Sequence, residues 1–201
     1  MYSCEEVSTA IKGGDENVII EYKVAKSDDD RYSLKVPNFM KKANALHPEA
    51  SIQYQNLYKE VYLIGLDEDK YDIVETFEDL GEWDEELTNI QNYRKIYMNF
   101  FSENSGLLGT PEIRPVKIRG MDAEIVTLEV KVEDIPYDLF YSMGFIEGEE
   151  KFYMLMAWTL LDNKKKYNEP FEKMIRSFKI NQSAESVPES EPETEAEAEE
   201  I

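Results

Sequence analysis

The run KFYMLMAWTLL, Lys151 to Leu161, leaves a chain of this kind few folds to choose from. Read as a strand, it places Phe152, Met154, Met156, Trp158 and Leu160 on one face and Tyr153, Leu155, Ala157 and Leu161 on the other. A strand that is apolar on both faces must be covered on both. It therefore belongs near the middle of a sheet with a layer packed on each side. EVYLIGLDE, Glu60 to Glu68, has the same property: Val61, Leu63 and Gly65 face one way, Tyr62, Ile64 and Leu66 the other.

The remaining segments arrange themselves around these two. NVIIEYKV (17–24) and YSLKVP (32–37) have strand composition and are separated by a turn at Ser27 to Asp30. Asn38 to Pro48 reads as a polar connection anchored by Phe39, Met40 and Leu46, and SIQYQN forms a hairpin with the EVYLIGLDE run. From Lys70 to Asn104 the period changes. Ile73, Val74, Phe77 and Leu80, then Leu87, Ile90, Tyr93, Tyr97 and Phe101, recur at spacings of three and four, which predicts two helices or one broken at Gly81. Asp84 is the expected N-cap of the second, with Glu85 and Glu86 favoured in its first turn. Ser105 to Pro111 is a loop, and EIRPVKIRGMDAEIVTLEVKV holds two strand-like runs around Gly120. Val126, Leu128, Val130 and Val132 alternate there with polar residues, as in a half-buried strand. LFYSMGFI, after a turn at Asp134 to Pro136, leads through EGEE into the central run. LDNKKKYNEP reads as a polar loop. Phe171, Met174, Ile175 and Phe178 then mark a closing helix entered through Asn168, with Pro170 in its first turn. Antiparallel hairpins interrupted by helices give an α+β domain, an α/β/α sandwich with a central antiparallel sheet.

Thirteen Tyr, nine Phe and two Trp supply the apolar mass for such a core. The chain divides into a flexible N-terminal arm at 1–16, a folded domain at 17–180 and an acidic tail at 181–201 that is expected to be disordered. The tail holds eight of the 43 acidic residues, so the domain is acidic in its own right. At a formal charge of −21 the chain repels nucleic-acid phosphates and anionic lipid. One cysteine excludes an intrachain disulfide framework and a multi-cysteine zinc site. No window reaches the roughly 20 apolar residues that cross a bilayer, and no secretory signal follows Met1. The sequence thus reads as a cytoplasmic chain or as a mature form without its leader. Cys4 follows the small Ser3 and precedes a polar linker, which resembles the processed end of a bacterial lipoprotein and makes Cys4 a candidate lipidation site.

Little else points to chemistry. His47, followed by Pro48, is the only histidine, and it has no nucleophile elbow or cysteine partner nearby. Gly13-Gly14 lacks the lysine and helix of a phosphate loop. Asp67, Glu68, Asp69 and Asp72, with Glu82, Asp84, Glu85 and Glu86, offer oxygen ligands to a divalent cation but lack EF-hand spacing. Their side chains are expected to fan outward into water. Lys164-Lys165-Lys166 reads as a solvated loop. Of the aromatic residues Tyr137, Phe140, Tyr141, Phe145, Phe152, Tyr153 and Trp158, most are expected in the core and some tyrosines along a groove.

Three stretches together resemble the PsbP-like family, which spans PsbP, Mog and DcrB-like proteins. YSLKVPNFM is similar to its opening strand and proline-marked turn. ASIQYQNLYKEVYLIGLDED is similar to its first hairpin, and KFYMLMAWTLLDNKKKYNEPFEKMIRSFKI to its closing strand, loop and helix. Uncharacterised Bacteroidota-type bacterial proteins also look alike. The resemblance implies a PsbP-like sandwich and a non-catalytic binding, adaptor or chaperone-like module of a bacterial cell, acting on a protein or peptide. It carries no functional residue over, and no cofactor, catalytic residue or metal ligand is expected. The competing expectation is a metal-dependent hydrolase or cation-binding protein built on Asp67, Asp69, Asp72, Glu82 and Asp84. The cell envelope, with Cys4 as lipid anchor, is the expected location, and the cytoplasm is the alternative. Neither partner identity nor oligomeric state is legible.

Overall fold

A computed structural model describes residues 20–104, 106–133 and 135–181. The N-terminal arm with Cys4 and Gly13-Gly14, and the tail from 182 onward, lie outside the described residues. Among the described residues eleven strands and three α-helices follow in chain order: β1 (Tyr22–Lys26), β2 (Tyr32–Pro37), β3 (Lys41–Lys42), β4 (Ile52–Asn56), β5 (Val61–Asp69), α1 (Lys70–Asp79), α2 (Asn89–Asn104), β6 (Gly106–Leu107), β7 (Glu112–Ile118), β8 (Met121–Lys131), β9 (Asp138–Glu147), β10 (Lys151–Leu160), α3 (Lys164–Arg176) and β11 (Lys179–Ile180).

The doubly apolar runs occupy the middle of the large sheet. Its order is β3-β4-β5-β10-β9-β8-β6, with β7 also paired to β8, and every pairing is antiparallel. β10 lies between β5 and β9. One face of the sheet presents Ile64, Leu66, Phe152, Met154, Phe145 and Val126 to α1 and α2. The other presents Leu63, Leu155, Ala157, Ile125 and Phe140 to α3 and to a small sheet of order β1-β2-β11. The second layer is thus a helix plus three strands, which completes the α/β/α sandwich. Tyr32, Phe171 and Phe178 are fully buried on that side, Tyr93, Phe145 and Phe152 on the other.

Two glycines allow the layers to close. A Cβ on Gly65 would lie 2.5 Å from Ile52 Cγ2 and 2.6 Å from the Tyr32 hydroxyl. One on Gly144 would lie 2.4 Å from Ile175 Cγ2, so α3 rests directly on the β9 backbone.

Several expected boundaries move. β1 begins at Tyr22 and not at Asn17; residues 17–19 are outside the described residues. α2 begins at Asn89, and its cap is Thr88 and not Asp84. The Gln91 N–H donates to Thr88 Oγ1 (3.4 Å) and the Thr88 N–H to Gln91 Oε1 (2.9 Å), a reciprocal capping box. Asp84 instead organises the preceding turn, accepting from the Glu86 N–H at 3.1 Å. α3 begins at Lys164, so most of the segment read as a polar loop is helix and Pro170 lies inside it. Proline removes one intrahelical bond. The apolar stripe Tyr167, Phe171, Met174 and Ile175, all buried with Pro170 itself, offsets the loss. β8 is buried on both faces from Ala123 to Leu128, with α2 packed against one of them; its ends at Asp122 and Lys131 are exposed.

Candidate functional site

Strand register builds an aromatic row across the α2-side face of the large sheet. Gln55 on β4 stands opposite Tyr62 on β5, Tyr62 opposite Trp158 on β10, Trp158 opposite Tyr141 on β9, and Tyr141 opposite Leu128 on β8. The Tyr62 and Trp158 rings stack at 5.2 Å and 14°, and Trp158 and Tyr141 at 6.0 Å and 20°. Phe101, in the last turn of α2, meets Tyr141 edge-on at 5.0 Å. Tyr141 is consequently 9% exposed, and burial pushes its hydroxyl pKa up to about 12. Tyr62, Trp158 and the flanking Met156 and Leu160 are only half-buried. Burial, with a smaller contribution from Glu60, also raises the Tyr62 pKa.

The loops at this end of the sheet carry exposed apolar residues as well. The β4–β5 turn carries Leu57, 63% exposed, and the fully exposed Tyr58. The β8–β9 loop carries the exposed Ile135 and Tyr137, and Leu107 in β6 and Leu108 after it are exposed as well. Scattered exposed apolar residues are ordinary, but a set gathered at one sheet end beside half-buried aromatic rings is the composition of a recognition surface. Its chemistry is contact and stacking.

The opposite end of the sheet is polar, and three of its carboxylates are held by neighbouring side chains. Glu68 accepts from the hydroxyls of Tyr93 (2.6 Å) and Tyr97. Glu147 is held by Lys70 (2.5 Å) and Asn89 (3.0 Å), and Glu124 by Arg94 (2.5 Å). Three carboxylates on the sheet thereby fasten the start and middle of α2, while its last turn reaches the aromatic row.

The sequence-derived candidates fall as follows. Asp67, expected to point into water, is instead turned inward with its side chain 3% exposed, between Arg31 (2.8 Å) and Lys151 (3.2 Å). Two cations flank this buried carboxylate, and its Oδ2 makes no hydrogen bond among the described residues. Asp69 caps α1 by accepting from the Tyr71 and Asp72 N–H groups. Asp72 and Glu82 are exposed, and Asp84 pairs with Lys95 at 3.4 Å. The five carboxylates do not converge, and no group of three His, Cys, Asp or Glu among the described residues could hold a metal ion. His47 Nδ1 accepts the Glu49 N–H at 3.2 Å, a turn role. Lys164 sits in helix and pairs with Glu129 at 2.6 Å. Phe140, Phe145, Phe152 and Tyr153 are core, Tyr141 and Trp158 join the row, and Tyr137 lies on the loop beyond it. Tyr62, Leu57 and Tyr58 were missed. Large apolar residues inside a hairpin turn are the signal that marks the last two.

No protein family and no curated protein matches the chain. Solved structures do. Cyanobacterial PsbP (CyanoP) from Synechocystis sp. PCC 6803 is 16% identical, covers 84% of this chain and 98% of its own, and aligns at a TM-score of 0.50. LpqN, described as involved in cell envelope biogenesis of Mycobacterium tuberculosis, is 9% identical, covers 82% and 92%, and also aligns at 0.50. The Saccharomyces cerevisiae Ran-binding protein Mog1p is 10% identical, covers 80% and 96%, and aligns at 0.48. The fold of this chain is the PsbP-like fold, as the three stretches implied. The similarity to Bacteroidota-type proteins stays an expectation from sequence.

Proposed function

We propose that this protein is a non-catalytic binding or adaptor module that holds a protein or peptide segment against the aromatic end of its large sheet. The observation that carries the reading is the half-buried Tyr62–Trp158 stack, at the same end of the sheet as the exposed Leu57, Tyr58, Ile135 and Tyr137. Aromatic rings at the edge of a core offer large contact area at small entropic cost, and such residues dominate binding energy at interfaces. The cell envelope is the proposed setting, with Cys4 as the lipid-bearing residue. Support comes from the Ser3-Cys4 pattern and from LpqN, a protein of the same fold described as acting in cell envelope biogenesis.

Trp158 supplies the test. In a Trp83→Phe variant it is the sole indole, and its emission is followed while the full chain is titrated with members of a peptide array. A blue shift that saturates, and a loss of affinity of about tenfold or more when Leu57 and Tyr58 are changed to Asp, is the expected result. Calcium, magnesium or manganese binding that disappears in Asp69→Ala, with no peptide bound, would overturn the reading. Radiolabelled lipid incorporated in a bacterial host and lost in Cys4→Ala tests the anchor.

A further inference from the structure

We propose that the partner segment held at the aromatic end of the large sheet presents an arginine, whose guanidinium extends the Tyr62–Trp158–Tyr141 stack and pairs with Glu60; this rests on the docking role proposed above for the same surface.

The backbone singles out Glu60. Among the described residues, three that are not glycine have positive φ: Asp30 at 60°, Arg119 at 50° and Glu60 at 50°. Such a conformation is strained for a residue with a Cβ and persists where the surroundings or a function require it. For two of the three, the fold itself uses the side chain. Asp30 accepts from Lys26 Nζ at 2.7 Å and from Asn181 Nδ2 at 2.8 Å. Arg119 Nε donates to the Phe178 carbonyl at 3.0 Å. Glu60 is half-buried, yet its carboxylate makes no hydrogen bond or ion pair among the described residues. The turn that carries it is firmly held. Asn56 Oδ1 accepts from the Lys59 N–H at 3.0 Å, and Asn56 Nδ2 donates to the Phe39 carbonyl at 2.7 Å. Leu57, Tyr58 and Glu60 are thus presented in a set arrangement, which lowers the entropic cost of binding.

The rings beside Glu60 stack in one direction. Trp158 lies between Tyr62 at 5.2 Å and Tyr141 at 6.0 Å. Tyr62 ends the row. Trp158 takes one of its faces, and on its other side, across the β4–β5 ladder, stands Gln55. Gln55 is half-buried, and its side chain makes no hydrogen bond among the described residues. Described lysines lie over the rings of Tyr54, Phe39, Phe152, Phe140 and Tyr167, but none lies over Tyr62. Lys59, next to Glu60 in sequence, is turned to Phe39 on the other face of the sheet, 5.4 Å from the ring centroid. Lys41, exposed on β3 opposite Gln55, bounds the site on its far side. Burial and then the Glu60 carboxylate raise the Tyr62 pKa, so that charge sits close to the ring.

An aromatic face without a ring partner, beside a carboxylate without a cation, suits a cationic side chain. Arginine fits it better than lysine. Its guanidinium is planar and stacks on a ring while its N–H groups reach a carboxylate in the same plane. Gln55 Oε1 is a further acceptor within the row. Charge selects against a second copy of the chain as occupant: with 43 acidic and 22 basic residues, two copies repel each other, and a cationic segment is drawn in.

Peptide titration of the full chain carrying Trp83→Phe tests this, read by Trp158 emission and by the amide shifts of Gln55, Glu60 and Tyr62. The probes are short peptides of alternating leucine and serine that differ only at a central residue, which is Arg, Lys, citrulline or Leu. Citrulline keeps the plane of arginine and lacks its charge. The Arg peptide should bind about tenfold tighter than the citrulline peptide, with the Lys peptide between them. Glu60→Gln should remove that preference and leave the affinity for the Leu peptide unchanged. Glu60→Gly, which relieves the positive φ, should do the same with a urea midpoint no lower than that of the wild type. Equal affinities across the set, an arginine preference that survives in Glu60→Gln, or a clear loss of stability in Glu60→Gly would overturn the proposal and leave the docking surface standing. Emission that responds to none of the peptides would overturn both, and a response instead to phosphatidylcholine vesicles or to protein concentration would assign the surface to a membrane or to a second copy.

Discussion

Changing Gly144 to Ala adds one carbon at the place where α3 meets the sheet. Gly144 lies on β9 between Ile125 on β8 and Leu155 on β10, both fully buried, so the strand cannot retreat. The new Cβ would sit 2.4 Å from Ile175 Cγ2 and 3.4 Å from Ile175 Cβ and Cγ1. Carbon contacts rest at about 3.5–4.0 Å, so one side must move by more than about an ångström. Ile175 cannot swing aside, because Phe171, Met174 and Phe178 around it are fully buried. The helix must move, against its anchor between Glu172 and Arg114 at 2.8 and 3.1 Å. Overpacking of this kind costs about 1–3 kcal/mol. The smaller entropy of the unfolded alanine chain returns about 0.4–1 kcal/mol. A net loss of about 1–2 kcal/mol lowers Tm by roughly 2–8 °C for a domain of this size. The cause can be isolated with a double-mutant cycle read by urea unfolding. Ile175→Ala removes the Cγ2 that clashes, so in the Gly144→Ala background it should cost at least about 1 kcal/mol less than in the wild type. Ile175→Val keeps that methyl group and should give no relief. A Gly144→Ala protein as stable as wild type, or a cycle with no coupling, would refute the close approach of α3.

Four further outcomes are expected. Burial is the leading cause that raises the pKa of Tyr32, Tyr93, Tyr97 and Tyr141. Their contribution is full below the unfolded value near 10 and is lost as pH climbs above it, by up to about 1.4 kcal/mol per pH unit for each. Urea midpoints should therefore fall steeply above about pH 10, with tyrosinate absorbance appearing together with unfolding. Glu172 is held near a pKa of about 2 chiefly by its hydrogen bonds to Arg114. Its contribution is present above the ordinary glutamate range and is lost as pH falls toward 2, and Arg114→Ala should flatten that acid limb of a stability profile. Tyr97→Phe withdraws one of the two hydroxyls from Glu68 and should cost about 1.5–3 kcal/mol in urea unfolding, as loss of a hydrogen bond to a charged group does. Thr88→Ala breaks the α2 capping box and should cost about 1 kcal/mol, with faster amide exchange confined to the first turn of α2.

The parts of the fold that showed in the sequence are those where one period governs one environment. β5 from Val61 to Leu66 and β10 from Phe152 to Trp158 carry only apolar residues or glycine on both faces because layers pack on both, so their central placement followed directly. The N-terminal half of α3 was hidden because Lys164, Lys165, Lys166 and Asn168 dilute the stripe to Tyr167 alone before Phe171, and Pro170 is read as a helix start. Thr88 was passed over for Asp84 because both are good caps, and only the Gln91 partner three residues on decides between them. The candidate site was half legible. Trp158 and Tyr141 stood in the aromatic list, but Tyr62 reaches them only through pairing between strands distant in sequence. The inward turn of Asp67 depends on Arg31, on a different layer, and no local pattern reports that.

The pairing of β5 with β10 has a consequence for how the protein is made. β5 leaves the ribosome with one edge taken by β4 and the other open, and the strand that closes it is the tenth. About ninety residues separate the paired positions, so at 5–20 residues per second the nascent chain waits roughly 5 to 20 seconds for its partner. Through that interval Val61, Leu63, Ile64 and Leu66 stand on an unzipped edge with neither core yet assembled. The ordered birth of the molecule thus runs backward from its architecture: the strands at its centre are joined almost last.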